Sequence, residues 1–331
     1  MQNTHATRIL AMSVLAFFAV AATAQAQLPV WLGFYVSDGQ VWETQMVGEH
    51  PLLGRTTHIP VIFVPLKLKF ALGGRVFDPM QSQPGHADSP VAFALKSPMF
   101  QPASFPGHPE THTQPTQYLD AYQRASFWNI VTAGSTSPTA PVKTDFHVLL
   151  NLQSVDPRTL TVPFLEGFVD FNADGKARGH VNKQFIKDQL DSLLETSPTG
   201  ALTIFFMNDV NFFDNNSTAG GWHNVRDGKT YIVSSFNFDG NDVAVLGHEL
   251  AEWLADPFGN NPAPGWTRPD GSCQHNLEVG DPNSGNNYKV ANTFTLQDAS
   301  YVAWFARTQP SMAFNACRNF QCNNVPNVPC K

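Results

Sequence analysis

Asp242-Val-Ala-Val-Leu-Gly-His248-Glu249-Leu-Ala-Glu252-Trp-Leu-Ala-Asp256-Pro257 is the stretch that most limits how this chain can fold. Val243, Leu246, Leu250, Trp253 and Leu254 recur at three-four spacing, the apolar stripe of a helix that must lie against a core. Residues set 100° apart put His248 and Glu252 about 40° from each other, roughly opposite that stripe, one turn apart and within reach of a single ion. Glu249 falls to one side of the pair. Asp242 suits the positive helix end, with Asn241 or Asp239 as N-cap, and Pro257 stops the helix near Ala255.

An ordinary solvated helix face would also carry His248, Glu249 and Glu252, but such faces mix signs. No Lys or Arg lies between Lys229 and Arg268, whereas Asp239, Asp242, Glu249, Glu252 and Asp256 all do. Uncompensated carboxylates beside a histidine are better explained by a bound cation than by water alone.

The chain starts with a positive segment ending at Arg8, runs apolar from Ile9 to Ala22, and reads Ala24-Gln25-Ala26. This is the pattern of an export signal cleaved after Ala26, and the apolar run is short for a bilayer span. The expectation is a secreted or periplasmic protein with no membrane anchor after cleavage. About 305 residues then remain, enough for one large domain or two small ones. Charged residues are 14% of the chain against a typical quarter. The net charge of −7 with no basic cluster speaks against nucleic acid as a partner.

All four cysteines (Cys273, Cys317, Cys322, Cys330) fall near the end of the chain. Export favours two disulfides, in any of three pairings, over a zinc knuckle, since no Cys-x-x-Cys pair is present. A bridge from Cys273 to the tail would pin the C-terminus beside the helix.

Along the mature chain, residues 27–117 read as β-rich. Ile59–Phe70 is a strand, Gly73-Gly74 a turn, and 79–117, with its prolines, an irregular loop and candidate boundary. Residues 118–331 mix helices (Tyr118–Val131 and Val181–Glu195) with strands (Phe146–Leu152 and Leu202–Met207). Hairpins are expected over 164–180 and over 222–238 about an Arg226-Asp227-Gly228 turn. The fold class is α+β, with a mixed or antiparallel sheet and a disulfide-stapled C-terminal tail. Asp170-Phe-Asn172-Ala-Asp174-Gly175 opens like a calcium loop, but Val181 stands where the bidentate Glu belongs, so a tight turn is the better reading. His108 and His112 lie in the proline-rich loop, where nothing supports a helix.

His248-Glu249-Leu-Ala-Glu252 followed by Asp256-Pro257 resembles a segment of secreted proteins of the phosphate-induced, EXORDIUM-like group. There a His-Glu-Leu-Ala-Glu helix precedes an acidic Glu-x-x-Asp element, matched here by Glu278-Val-Gly-Asp281. More distantly, the helix is similar to the active-site helix of zincin metallopeptidases, whose fold pairs such a helix with a sheet above it. The resemblance spans residues 230–282, and it departs from the zincin pattern where Glu252 replaces a second histidine.

The resemblance implies a zinc-dependent peptidase acting on a peptide or protein, with Glu249 as general base. His248 and Glu252 supply two ligands, and Glu278, 26 residues beyond Glu252, takes the place of a zincin's downstream third ligand. Asp281 then orients a ligand or exchanges roles with Glu278, and His275 is a further candidate. Asp256, about 12 Å along the axis from His248, is too distant for the same ion in a straight helix and suits a cap. Two carboxylates and one imidazole neutralise Zn²⁺ and would also suit Mn²⁺ or Ca²⁺. The strand ending at Phe238 could offer its edge to an extended peptide. The competing reading is a non-catalytic secreted or cell-surface binding protein holding a structural ion.

Overall fold

The computed structural model describes residues 27–105, 115–131, 146–214, 217–307, 314 and 327–330. The expected export signal, His108, His112, Cys317 and Cys322 lie outside them.

In chain order, β1 (Val30–Ser37) and β2 (Gln40–Val47) form a hairpin, followed by the long strand β3 (Thr56–Phe70) and the short β4 (Val76–Phe77). Then come helices α1 (Pro90–Lys96), α2 (Tyr118–Ser126) and α3 (Trp128–Val131), and strands β5 (His147–Val155), β6 (Arg158–Val162), β7 (Gly167–Phe171) and β8 (Ala177–Asn182). Helix α4 (Lys183–Leu194) leads to β9 (Leu202–Asn208), β10 (Val210–Phe213), β11 (Thr218–Ala219), β12 (Gly221–Arg226) and β13 (Lys229–Phe236). Helix α5 (Ala244–Ala255) precedes β14 (Pro262–Thr267), β15 (Cys273–Asn276), β16 (Asn287–Val290), β17 (Phe294–Gln297) and α6 (Val302–Phe305).

The central sheet is mixed. β12 pairs antiparallel with β13, while β13–β9, β9–β3 and β3–β5 are parallel. β3 then continues beyond β9 to pair with β6 and β4. The α+β expectation thus holds in its coarse form. β13 is interior, so the strand that feeds α5 has no free edge. Among the described residues the edge belongs to β12, because the hairpin returns on the outside.

Period-two alternation sorts the side chains onto two faces. Ile59, Val61 and Phe63 of β3, Leu202, Ile204 and Phe206 of β9, and Ile232 and Phe236 of β13 join the core under α5 and α2. Val64, Leu66, Phe205, Met207, Tyr231 and Val233 join a second core with Ile186 and Leu190 of α4. Each fully buried aliphatic or aromatic side chain contributes about 1.5–3 kcal/mol to this layering. β3, from the N-terminal region, therefore sits in the middle of the sheet, and its core continues into the C-terminal half.

Local departures have local causes. The Tyr118–Val131 helix breaks at Phe127, whose ψ of 25° leaves the helical range. Val181 ends β8 rather than starting α4, because Asn182 caps the helix by accepting from the Gln184 amide. Inside the proline-rich loop, Ser89 accepts from the Ala92 amide and Pro90 starts α1. The Asn172 side chain accepts from the Asp174 and Lys176 amides, closing the β7–β8 turn. Cys273 and Cys330 form a disulfide that ties the tail to β15. That bridge fits an oxidising compartment, and no described helix is long and apolar enough to cross a membrane.

Candidate metal centre

Helix α5 lies across β13 and β12 and is buried nearly all round. Its polar face, expected to meet solvent or an ion, is covered by β12 and by the loop after β15, leaving Glu249 5% and Glu252 4% exposed. Neither Asn241 nor Asp239 caps it: Val243 holds that position without a side-chain bond. Asp242 instead accepts from the Val243 and Thr295 amides and from the Thr295 hydroxyl, fastening the helix start to β17.

Three segments bring ligand-type atoms together. From α5, His248 Nε2 lies 3.1 Å from Glu252 Oε1. From the loop after β15, Asp281 Oδ1 lies 3.8 Å from the same nitrogen, while Arg268 holds Asp281 Oδ2 at 2.9 Å. From β12, His223 Nδ1 lies 3.6 Å from Glu252 Oε2 and 3.7 Å from Glu249 Oε2, and its Nε2 is 3.9 Å from Glu278 Oε2. The ligand atoms of His248, Glu252 and Asp281 all fall within 4.8 Å of one another, as do those of His223, Glu249 and Glu252.

Glu278 thus enters the pocket against His223, and Asp281 faces His248. His275 lies elsewhere, 3.4 Å from Cys273 Sγ at the disulfide. Asp256 accepts from the Asn260 and Asn261 amides and so closes the turn after the helix.

His223 is the residue that sequence reasoning missed. Trp222 packs into the far core, so alternation turns its neighbour toward α5. A strand histidine next to an inward tryptophan was the available signal. Its partners depend on the His223–Ile232 register across the β12–β13 hairpin.

Two buried polar atoms in the pocket lack ordinary hydrogen bonds. Glu252 Oε1 is buried and meets the His248 imidazole at 3.1 Å without hydrogen-bond geometry, and His223 Nε2 is buried with no hydrogen bond, a costly state for a polar atom. Gln297 Nε2 lies 2.5 Å from His248 Nδ1 and donates to the Gly280 carbonyl. So placed, Nδ1 is the acceptor, and this contact must shift before the ring can take a second proton or present Nε2 to an ion.

Electrostatics run in the same direction. Burial opposes charge on both imidazoles, but the carboxylates outweigh it, pushing His248 up to about 10 and His223 well above its usual range. Burial likewise works against Glu252, yet the two histidines hold it far below the ordinary carboxylate range. Burial, then the charge of Glu252, raises Glu278 to about 8 and Asp281 to about 6, and burial also raises Glu249. Protons on the two imidazoles thus offset the carboxylate charge of the pocket.

A pH dependence follows. His248 is raised from 6.5, so its stabilisation is complete below about 6.5 and is lost as pH climbs through about 10. Glu278 is neutral in the fold up to about 8 but ionises near 4.5 when unfolded, so it too makes stability fall with rising pH between those values. Glu252, depressed, weakens the fold only in strong acid. With chelator present, the melting temperature should drop between pH 6 and 10. A flat or rising profile contradicts this assignment.

Gly280 tests the packing around His248. A Cβ there would lie 2.6 Å from His248 Nδ1, and its φ of −78° is open to any residue. Gly280→Ala should therefore act by displacing the imidazole, weakening metal affinity about 10–100-fold with the fold retained. Unchanged affinity in a chelator-competition titration would show that His248 holds no metal.

Comparison of the chain with known proteins found no matching family model, no matching curated protein and no matching solved structure.

Proposed function

We propose that the protein is an exported metal-dependent hydrolase of peptide bonds, with one cation held by His248, Glu252 and Asp281 and with Glu249 as general base. The carrying observation is the buried cluster of His248 Nε2 with Glu252 Oε1 at 3.1 Å and Asp281 Oδ1 at 3.8 Å, three ligand atoms within 4.8 Å of one another. One imidazole and two carboxylates fit Zn²⁺ and equally admit Mn²⁺ or Ca²⁺. Arg268 on the outer oxygen of Asp281 draws off part of one carboxylate's charge, which answers the objection that two carboxylates neutralise the ion. Asp281 takes the third-ligand place in this reading, and Glu278 stands behind His223.

When bound, the ion would polarise the scissile carbonyl and acidify water. Glu249, raised by burial, would take the proton and return it to the leaving amine. An extended peptide could add to the free edge of β12, whose backbone runs past the site. A helix on a sheet, beside an antiparallel edge strand, supports the distant likeness to zincin metallopeptidases.

The purified protein should carry metal and cleave a peptide library, and Glu249→Gln should lower the rate by at least 10²-fold while retaining metal. Near-wild-type turnover in that variant would reject Glu249 as the base. The second reading, a secreted binding protein with a structural ion, is favoured by how little the pocket opens: its most exposed acid, Glu278, is 16% accessible. Metal bound with no cleavage of any peptide would select it.

A further inference from the structure

The pocket has more donor atoms than one ion can use, and they fall into two groups that meet at Glu252. Its Oε1 faces His248, while its Oε2 faces His223. We propose that the pocket holds a second divalent cation, bound by His223 Nδ1, Glu249 Oε2 and Glu252 Oε2, with Glu252 bridging the two ions. This rests on the one-ion reading above and extends it.

Four observations carry it. The three donor atoms lie within 4.8 Å of one another. The His223 side chain is only 5% exposed, and its second nitrogen, Nε2, is buried without a hydrogen-bond partner. Glu278 Oε2 lies 3.9 Å from that nitrogen, too long for a hydrogen bond but on the side where a metal-ligating histidine keeps a carboxylate for its other N–H. Finally, a Cβ on Gly221 would meet the Val233 carbonyl at 2.5 Å, Val245 at 3.0 Å and Glu249 Cγ at 3.1 Å, so the glycine lets this face of α5, Glu249 included, lie close on the edge strand.

Glu249 belongs to this second group, and a carboxylate bound to a divalent ion is a far weaker base. Filling the second place therefore weakens the base. Hydrolysis should rise as the first ion loads and fall as the second does, so that excess metal acts as a brake.

The test is the number of ions, read without any activity measurement. The full mature chain, stripped with chelator and dialysed against Zn²⁺, should bind two zinc ions by elemental analysis and give two calorimetric phases. His223→Gln and Glu249→Gln should each bind one, and Glu252→Gln none. One zinc per wild-type chain would overturn the second site and leave the one-ion reading standing, while no zinc would overturn both. A His223→Gln protein still binding two would also overturn it. Circular dichroism checks folding, and should His223→Gln misfold, the wild-type count and Glu249→Gln decide.

Discussion

Glu252→Gln should empty the pocket of metal, the largest effect expected of any single substitution in this chain. Both oxygens of Glu252 point at imidazoles, one 3.1 Å from His248 and the other 3.6 Å from His223. Removing one charge from a buried, paired site costs about 3–5 kcal/mol, which corresponds to a loss of roughly 10² to 5 × 10³ in affinity. Zinc content after dialysis, with a chelator-competition titration, reads this directly. Affinity within tenfold of wild type would mean that Glu252 serves only the histidines. Asp256→Asn is the informative control. Asp256 accepts two backbone amides beyond the helix, so its loss should cost about 1 kcal/mol of stability and leave the metal content unchanged.

The second large effect concerns the tail. Cys273 and Cys330 are bridged across a separation of 57 residues, and the chain-entropy argument gives such a loop about 4 kcal/mol of stabilisation. Cys330→Ser, or reduction of the wild type, should lower the melting temperature by roughly 10 °C. Metal affinity should fall as well. β15 carries Cys273 and leads within a few residues to Glu278 and Asp281, and the bridge holds β15 against β14 and the tail, where the Thr267 amide donates to Val328 and the Cys330 amide to Gly265. A melting temperature that reduction leaves unmoved would show that the packing of Trp266 against Trp304 and Phe305 secures this corner unaided.

The parts of this protein legible in its sequence are those that short-range spacing decides. The helical periodicity from Val243 to Leu254, the turn separating His248 from Glu252, the Arg226-Asp227-Gly228 hairpin and the apolar run of β9 depend on residues a few positions apart. Each appears in the structure where the residues place it. The Ser89-Pro90 start of α1 was equally local, but it was obscured by the prolines around it.

What the tertiary structure decided is everything set by the order of strands in the sheet. That order put β13 inside and β12 at the edge, turned His223 toward α5 and covered a helix face that the sequence alone leaves open to solvent. It also set Asp281 against His248 and Glu278 against His223, and brought in Arg268, Gln297 and Gly280. The physical reason is that a helix fixes neighbours at i and i+4 by its own hydrogen bonds, whereas a partner 25 residues or more away is fixed only by which surfaces exclude water together.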